Sequence, residues 1–283
     1  VKIVILFSKL IKKVMIIETD LGNDPDDLFA ILWLIAIGQK IDGIVITPGS
    51  KHQILIANLI IEECGLDIPI GVFSYRENNQ YGRIYKELIK KYKFDICHYI
   101  DSKEIISNYT KDVLIIGPPK NIRYGSKFSR ITFQGGFCPY SIYKPQITLD
   151  KFIDKEYQPS FNPGGDKNTT HRIINKEFSN NLTFCGKNVC HSILYDKEIH
   201  KNIKPHNKAS FLFKEIMDHY LKIKECKAFH DPIAACMHVD PSIGVWYNGT
   251  PEYLNGSWTT KPGDCNILVD LDRKLFWEKI LNF

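Results

Sequence analysis

Apolar runs of strand length alternate with segments of helical spacing along most of this chain, and that alternation leaves it very few folds. "VMIIET" is a continuous apolar run, after which Leu28, Ile31, Leu32 and Ile35 recur at helical intervals until Gly38 offers a stop. "IDGIVIT" follows as a strand, His52 to Cys64 as a helix closed by Gly65, then "IPIGVF" and later "DVLIIG", "RITFQGG" and "NLTFC" as buried strands. An amphipathic helix around Ser210 to Lys224, a strand "CNILVDL" and a closing helix "RKLFWEKILNF" complete the pattern. Strands with helices between them predict an α/β fold, a mostly parallel central sheet flanked by helices on both faces. No repeat, low-complexity tract or linker interrupts it, so 14–283 reads as one domain and 1–13 as an N-terminal extension. That extension has lysines inside its apolar run and no small-residue cleavage site, which argues against a secretory signal.

Five carboxylates sit between the first strand and the first helix, at Glu18, Asp20, Asp24, Asp26 and Asp27 in "ETDLGNDPDD". Helix capping explains part of this: Asp24 before Pro25 suits an N-cap, and Asp26 and Asp27 suit a first helical turn. It leaves Asp20, at the carboxyl end of the strand, without a role. In an open α/β sheet that edge is where ligands bind. Clustered carboxylates there repel unless a cation joins them, and hard oxygen donors suit Ca²⁺ or Mg²⁺. Far along the chain, "AFHDPIAACMHVDPS" opens a helical stretch with His230, Asp231 and Pro232. Alone, these read as a capped helix with Pro in its first turn. Beside the first cluster they offer one more ligand and one acid.

These segments together resemble the inosine-uridine-preferring nucleoside hydrolase family. Its D-x-D-P-G-x-D-D-A signature is similar to "ETDLGNDPDDLFA", with Glu18 for the first acid and two extra residues before the final pair. "IVITPGSKHQILIANLIIEECG", "LIIGPPKNI", "ITFQGGF", "FNPGGDKNTTHRII" and "HDPIAACMHVDPS" then resemble later family segments in family order, from about Val14 onward. The resemblance implies a nucleoside-hydrolase-like fold with a Rossmann-like core and Ca²⁺-dependent hydrolysis of the N-glycosidic bond of ribonucleosides, as in purine and pyrimidine salvage. It implies Asp20 as metal ligand and general base, with Asp27, Asp231 and the backbone carbonyl of Ile116 as further ligands. Asp26 would hold a ribose hydroxyl, Asn162 would bind the sugar, and His230 would stand near the leaving base. Ser50 and Ser160 fall at two sugar-contacting positions where the family has Asn and Glu. Those shorter side chains favour an alternative, a catalytically weak relative that binds metal and a ribosyl ligand. A Mg²⁺ phosphohydrolase fits less well, because "ETDLGND" lacks the D-x-D-x-T/V nucleophile pattern.

Composition narrows the partners. With 37 basic and 32 acidic residues spread along the chain, only "KELIKKYK" (Lys86 to Lys93) is locally basic, and it reads as a solvated helix face rather than a nucleic-acid patch. No apolar segment reaches membrane-spanning length. None of the eight cysteines forms a C-x-x-C pair, and Cys64, Cys185 and Cys236 lie in apolar runs, the pattern of a reduced, cytoplasmic chain without a zinc site. Cys190-His191 reads as the continuation of a strand rather than a nucleophile and base. The expected partner is a small-molecule nucleoside, with no nucleic acid and no membrane, and a homo-oligomer is left open.

Overall fold

The computed structural model of the chain describes residues 14–77 and 82–283. The expected extension 1–13 lies outside the described residues. Among the described residues ten strands form one sheet: β1 (Met15–Thr19), β2 (Ile41–Ile46), β3 (Ile70–Val72), β4 (Ile100–Asp101), β5 (Asp112–Ile115), β6 (Arg130–Gln134), β7 (Leu182–Cys185), β10 (Gly244–Leu254), β11 (Ser257–Pro262) and β12 (Cys265–Leu271). β8 (Leu194–Asp196) and β9 (Cys226–Ala228) pair antiparallel in a small second sheet.

The spatial order is β11-β10-β12-β7-β6-β5-β1-β2-β3-β4. From β4 to β12 every pairing is parallel; only β10 and β11 add antiparallel at one end. The chain starts in the middle of the sheet at β1, runs outward to β4, then returns to β5 on the other side of β1. β1 and β5 therefore flank the point where strand order reverses, and their carboxyl ends open the crevice such a reversal creates.

Both faces of the central strands are covered, which is why β1, β5 and β7 read as apolar runs. Met15 and Ile17 pack into one core cluster and the intervening Ile16 into another, as the two-residue strand period requires. The larger cluster centres on Phe29, whose ring lies 4.1 Å from that of Phe213 and 4.6 Å from that of Phe229. That packing fixes the helix Asp26–Ala36, and with it the acids of its first turn.

Local details depart from the sequence expectations. Asp24 does not cap its helix: Pro25 holds the cap position in helical conformation without a side-chain bond, and Asp24 is drawn to a lysine instead. Cys190-His191 does not continue a strand; a short helix, Lys187–Cys190, leaves β7 and His191 caps it. The helix Arg83–Tyr92 buries Tyr85 and Leu88 and leaves most of its lysines in solvent. Among the described residues no helix is long and apolar enough to cross a membrane.

Candidate active site

A cavity of about 270 Å³ opens at the carboxyl edge of β1, β5 and β6. Asp20, Asn23, Asp24, Asp26, Asp27 and Asp231 line it on one part, and Ile116, Gln134, Ser160, Phe161, Asn162, Lys187, His191 and His230 line the remainder. Of the residues expected at the site, all but Ser50 belong to this lining.

Each acid is delivered by a different device. Asp20 follows β1 directly; the side chain of Gln53 holds its backbone carbonyl at 3.1 Å. Gly117, just past β5, lies so close that a Cβ there would sit 2.6 Å from the Asp20 nitrogen and 2.8 Å from its Oδ1. Only glycine permits that approach. Asp27 is buried in the first turn of its helix, and its Oδ1 accepts the Thr19 hydroxyl at 2.5 Å. Asp231 begins the helix Asp231–Val239, with Pro232 beside it. Two helix N-termini thus turn their positive ends toward the same acids.

Burial and mutual repulsion act on these groups as they must when carboxylates gather away from water. Burial first, then Asp26 and Asp24, push the Asp20 carboxyl up to about 7. Asp27 and Asp231 are held well above the ordinary carboxylate range, by burial and then by their acidic neighbours. Beneath them Glu18, wholly buried, is raised to about 8 by desolvation, although its Oε1 accepts from Thr47 at 2.6 Å and Asn121 at 2.8 Å.

Asp26 differs. Burial alone would raise it, but hydrogen bonds with Asp24 and His230 and the charge of Lys227 outweigh that and hold it far below the ordinary range. Lys227, on β9 and only 7% exposed at its side chain, places Nζ 3.0 Å from Asp24 and 3.1 Å from Asp26. The Nδ1 of His230 lies 3.3 Å from the same Asp26 oxygen, and its Nε2 has no hydrogen-bond partner among the described residues. Nothing in the sequence singled out Lys227.

On the other side of the cavity, Asn162 donates to the Gln134 side chain at 2.7 Å, which fixes its amide. The Ser160 hydroxyl accepts from the Gly136 N–H at 3.0 Å. Phe161, between them, is 75% exposed. The rings of His191 and His230 lie 4.6 Å apart. Ser50 is absent from the lining because its hydroxyl donates to Gln53 at 2.8 Å in the cap of the helix Lys51–Cys64. There Ser50 orients the glutamine that holds Asp20.

The donor set suits a hard cation. Oxygens of Asp24, Asp26 and Asp27 come within 4.8 Å of one another, and Asp20 and Asp231 line the same cavity. Lys227 pairs with Asp24 and Asp26, whereas Asp20, Asp27 and Asp231 form no ion pair among the described residues, which leaves their oxygens to a cation.

No family model matches the chain. A protein of Aquifex aeolicus (strain VF5), named as an uncharacterized protein, is 27% identical over 270 residues, 89% of this chain and 92% of that one. Solved structures share the fold over nearly the whole chain. A plant nucleoside hydrolase matches with a TM-score of 0.66 and 17% identity, covering 95% of this chain and 98% of its own. A purine-preferring ribonucleoside hydrolase from Gardnerella vaginalis matches at 0.67 and 15%, covering 95% and 97%. An inosine-guanosine nucleoside hydrolase matches at 0.69 and 15%, covering 95% and 99%. The chain has the α/β fold of these hydrolases.

Proposed function

We propose that the protein is a Ca²⁺-dependent N-ribohydrolase that cleaves ribonucleosides to free base and ribose. The observation that carries this reading is the gathering of Asp20, Asp27, Asp231 and Ile116 around one cavity where the strand order reverses, in a fold shared with nucleoside hydrolases. Asp20, Asp27, Asp231 and the Ile116 carbonyl would hold the cation. When bound, it supplies charge that gathers sugar hydroxyls and makes water easier to deprotonate.

The protein's own groups supply the rest. Asp20, at the end of β1 and in the cavity lining, is placed to act as the base that takes a proton from water. As the C1′–N bond opens, positive charge grows on the ribose, and the surrounding carboxylates stabilise it. Asn162, fixed by Gln134, offers a preorganised contact to the sugar. His230, anchored through Nδ1 on Asp26, is the candidate for bringing a proton to the departing base.

One observation favours the weaker-enzyme alternative: Lys227 engages Asp26, the acid expected to hold a ribose hydroxyl. Incubating the purified protein with ribonucleosides and Ca²⁺, and assaying free base and ribose, separates the two. The hydrolase reading expects turnover that Asp20→Asn lowers by about 10²–10⁴-fold with its fold intact by circular dichroism. Binding of ribosides without product supports the alternative instead.

A further inference from the structure

Besides Lys120, whose charge acts on Asp20, the cations around the cavity fall into two sets. Lys227 is spent on Asp24 and Asp26. Lys187 lines the cavity beside the Ser160–Asn162 segment, with Nζ donating to the Pro159 carbonyl at 2.8 Å. Lys151 sits nearby, its Nζ 3.0 Å from the His191 Nδ1. Neither Lys151 nor Lys187 pairs with a carboxylate among the described residues. Desolvation, then the neighbouring Lys151 charge, lowers Lys187 from its ordinary value, so the two ammonium groups burden each other. His191, lowered to about 3 by burial and by the cations around it, is neutral. Because its Nδ1 accepts from Lys151, its ring proton is on Nε2, a further donor.

A neutral nucleoside would leave the two ammonium charges without a counter-charge among the described residues. An oxyanion would satisfy it with charge-assisted hydrogen bonds, and the acids at the other end of the cavity would repel the same group and fix its orientation. We propose that the ribosyl substrate carries an oxyanion, a phosphate or a carboxylate, bound by Lys187 together with Lys151 and His191. The inference rests on the N-ribohydrolase reading. The sugar hydroxyls face the acids. The oxyanion then leaves the ribose either at C5′, toward Lys187, or on the base, toward His191. With a 5′-phosphate the chemistry balances simply: water adds to C1′, the C1′–N bond breaks, the base departs with a proton, and ribose 5-phosphate remains.

The test compares kcat/KM for inosine, inosine 5′-monophosphate and orotidine in the Ca²⁺-loaded wild type, in Lys187→Ala and in Lys151→Ala/Lys187→Ala. One anionic substrate should exceed inosine by about 10- to 100-fold, and the double variant should bring that ratio close to one. Which anion wins distinguishes the phosphate from the carboxylate. Equal use of inosine, or a ratio the variants do not move, overturns the oxyanion site while hydrolysis stands. Should no riboside turn over, the hydrolase reading fails separately, and calorimetry decides the site. Ribose 5-phosphate or orotate binding about 10-fold tighter than ribose, lost in the double variant, supports the site; equal affinities overturn it.

Discussion

At the scale of single residues, His230 and Lys227 compete for one acid. The His230 Nδ1 and the Lys227 ammonium both lie on the same Asp26 oxygen, so each restrains the other's position. If His230 belongs to the route that carries a proton to the departing base, its loss matters only for leaving groups that need one. His230→Ala should depress nucleoside hydrolysis by about 10²–10⁴-fold and spare nitrophenyl riboside, whose nitrophenolate leaves unprotonated. Parallel losses for both substrates, measured as kcat/KM, would reduce His230 to packing beside Asp231. Lys227→Met poses a different question. Removing one partner of a buried ion pair strands the other, at a cost of about 3–5 kcal/mol. Denaturant unfolding should show a loss of that order; an unchanged midpoint would mean that Asp26 finds another counter-charge.

At the scale of elements, β1, β2, β3, β5, β6, β7 and β12 were legible because each is buried along nearly its whole length and so spells an apolar run, whereas the exposed β4 gave no such signal. The edge location of Asp20 followed from the end of such a run, and Asp231 from its place ahead of an apolar helix. Lys227 was not legible: three residues before His230, in "KECKAFH", it looks like any surface lysine until β9 turns it inward. The cap role of Ser50 was hidden for a related reason, since a serine after a glycine serves a ligand contact and a helix cap equally well, and here its hydroxyl donates to the Gln53 side chain. Cys190-His191 read as strand because Val189 and Cys190 resume the apolar character of β7, whereas Gly186 ends that strand and starts a short helix that brings His191 to the cavity. The turn after β5 makes its own prediction. Gly117→Ala removes no ligand, but its Cβ would press on the Asp20 nitrogen and Oδ1. Relieving that overlap costs about 1–3 kcal/mol and moves Asp20. Weaker Ca²⁺ binding by calorimetry and reduced turnover should both follow; wild-type affinity would show that the turn yields elsewhere.

At the scale of the whole molecule, the acids of the site bear on stability. In the folded chain the Asp20 carboxyl is raised from 3.8 to about 7, and Asp27 and Asp231 shift in the same direction. A carboxyl raised on folding stabilises the fold fully below its unfolded value, and that contribution is lost as pH rises through the folded one. The Tm of the metal-free chain should therefore fall between pH 3.8 and about pH 7, and the Tm gained on adding Ca²⁺ should widen over that range, as the carboxyls ionise and need a cation. Calorimetric melts across that range with and without Ca²⁺ check it, and a gain that ignores pH would remove these acids from the binding site.

The return of the chain to its own first strand has a further consequence, in the order of synthesis. Asp26 meets His230 across 204 positions of sequence. The acids beside β1 are among the first parts of the sheet to be made, while Asp231 arrives only after β9. During translation the cavity stays incomplete until the helix Asp231–Val239 docks. A cation with high affinity for the finished site would pass over earlier ribosome-bound intermediates, so its uptake would mark the docking of that helix.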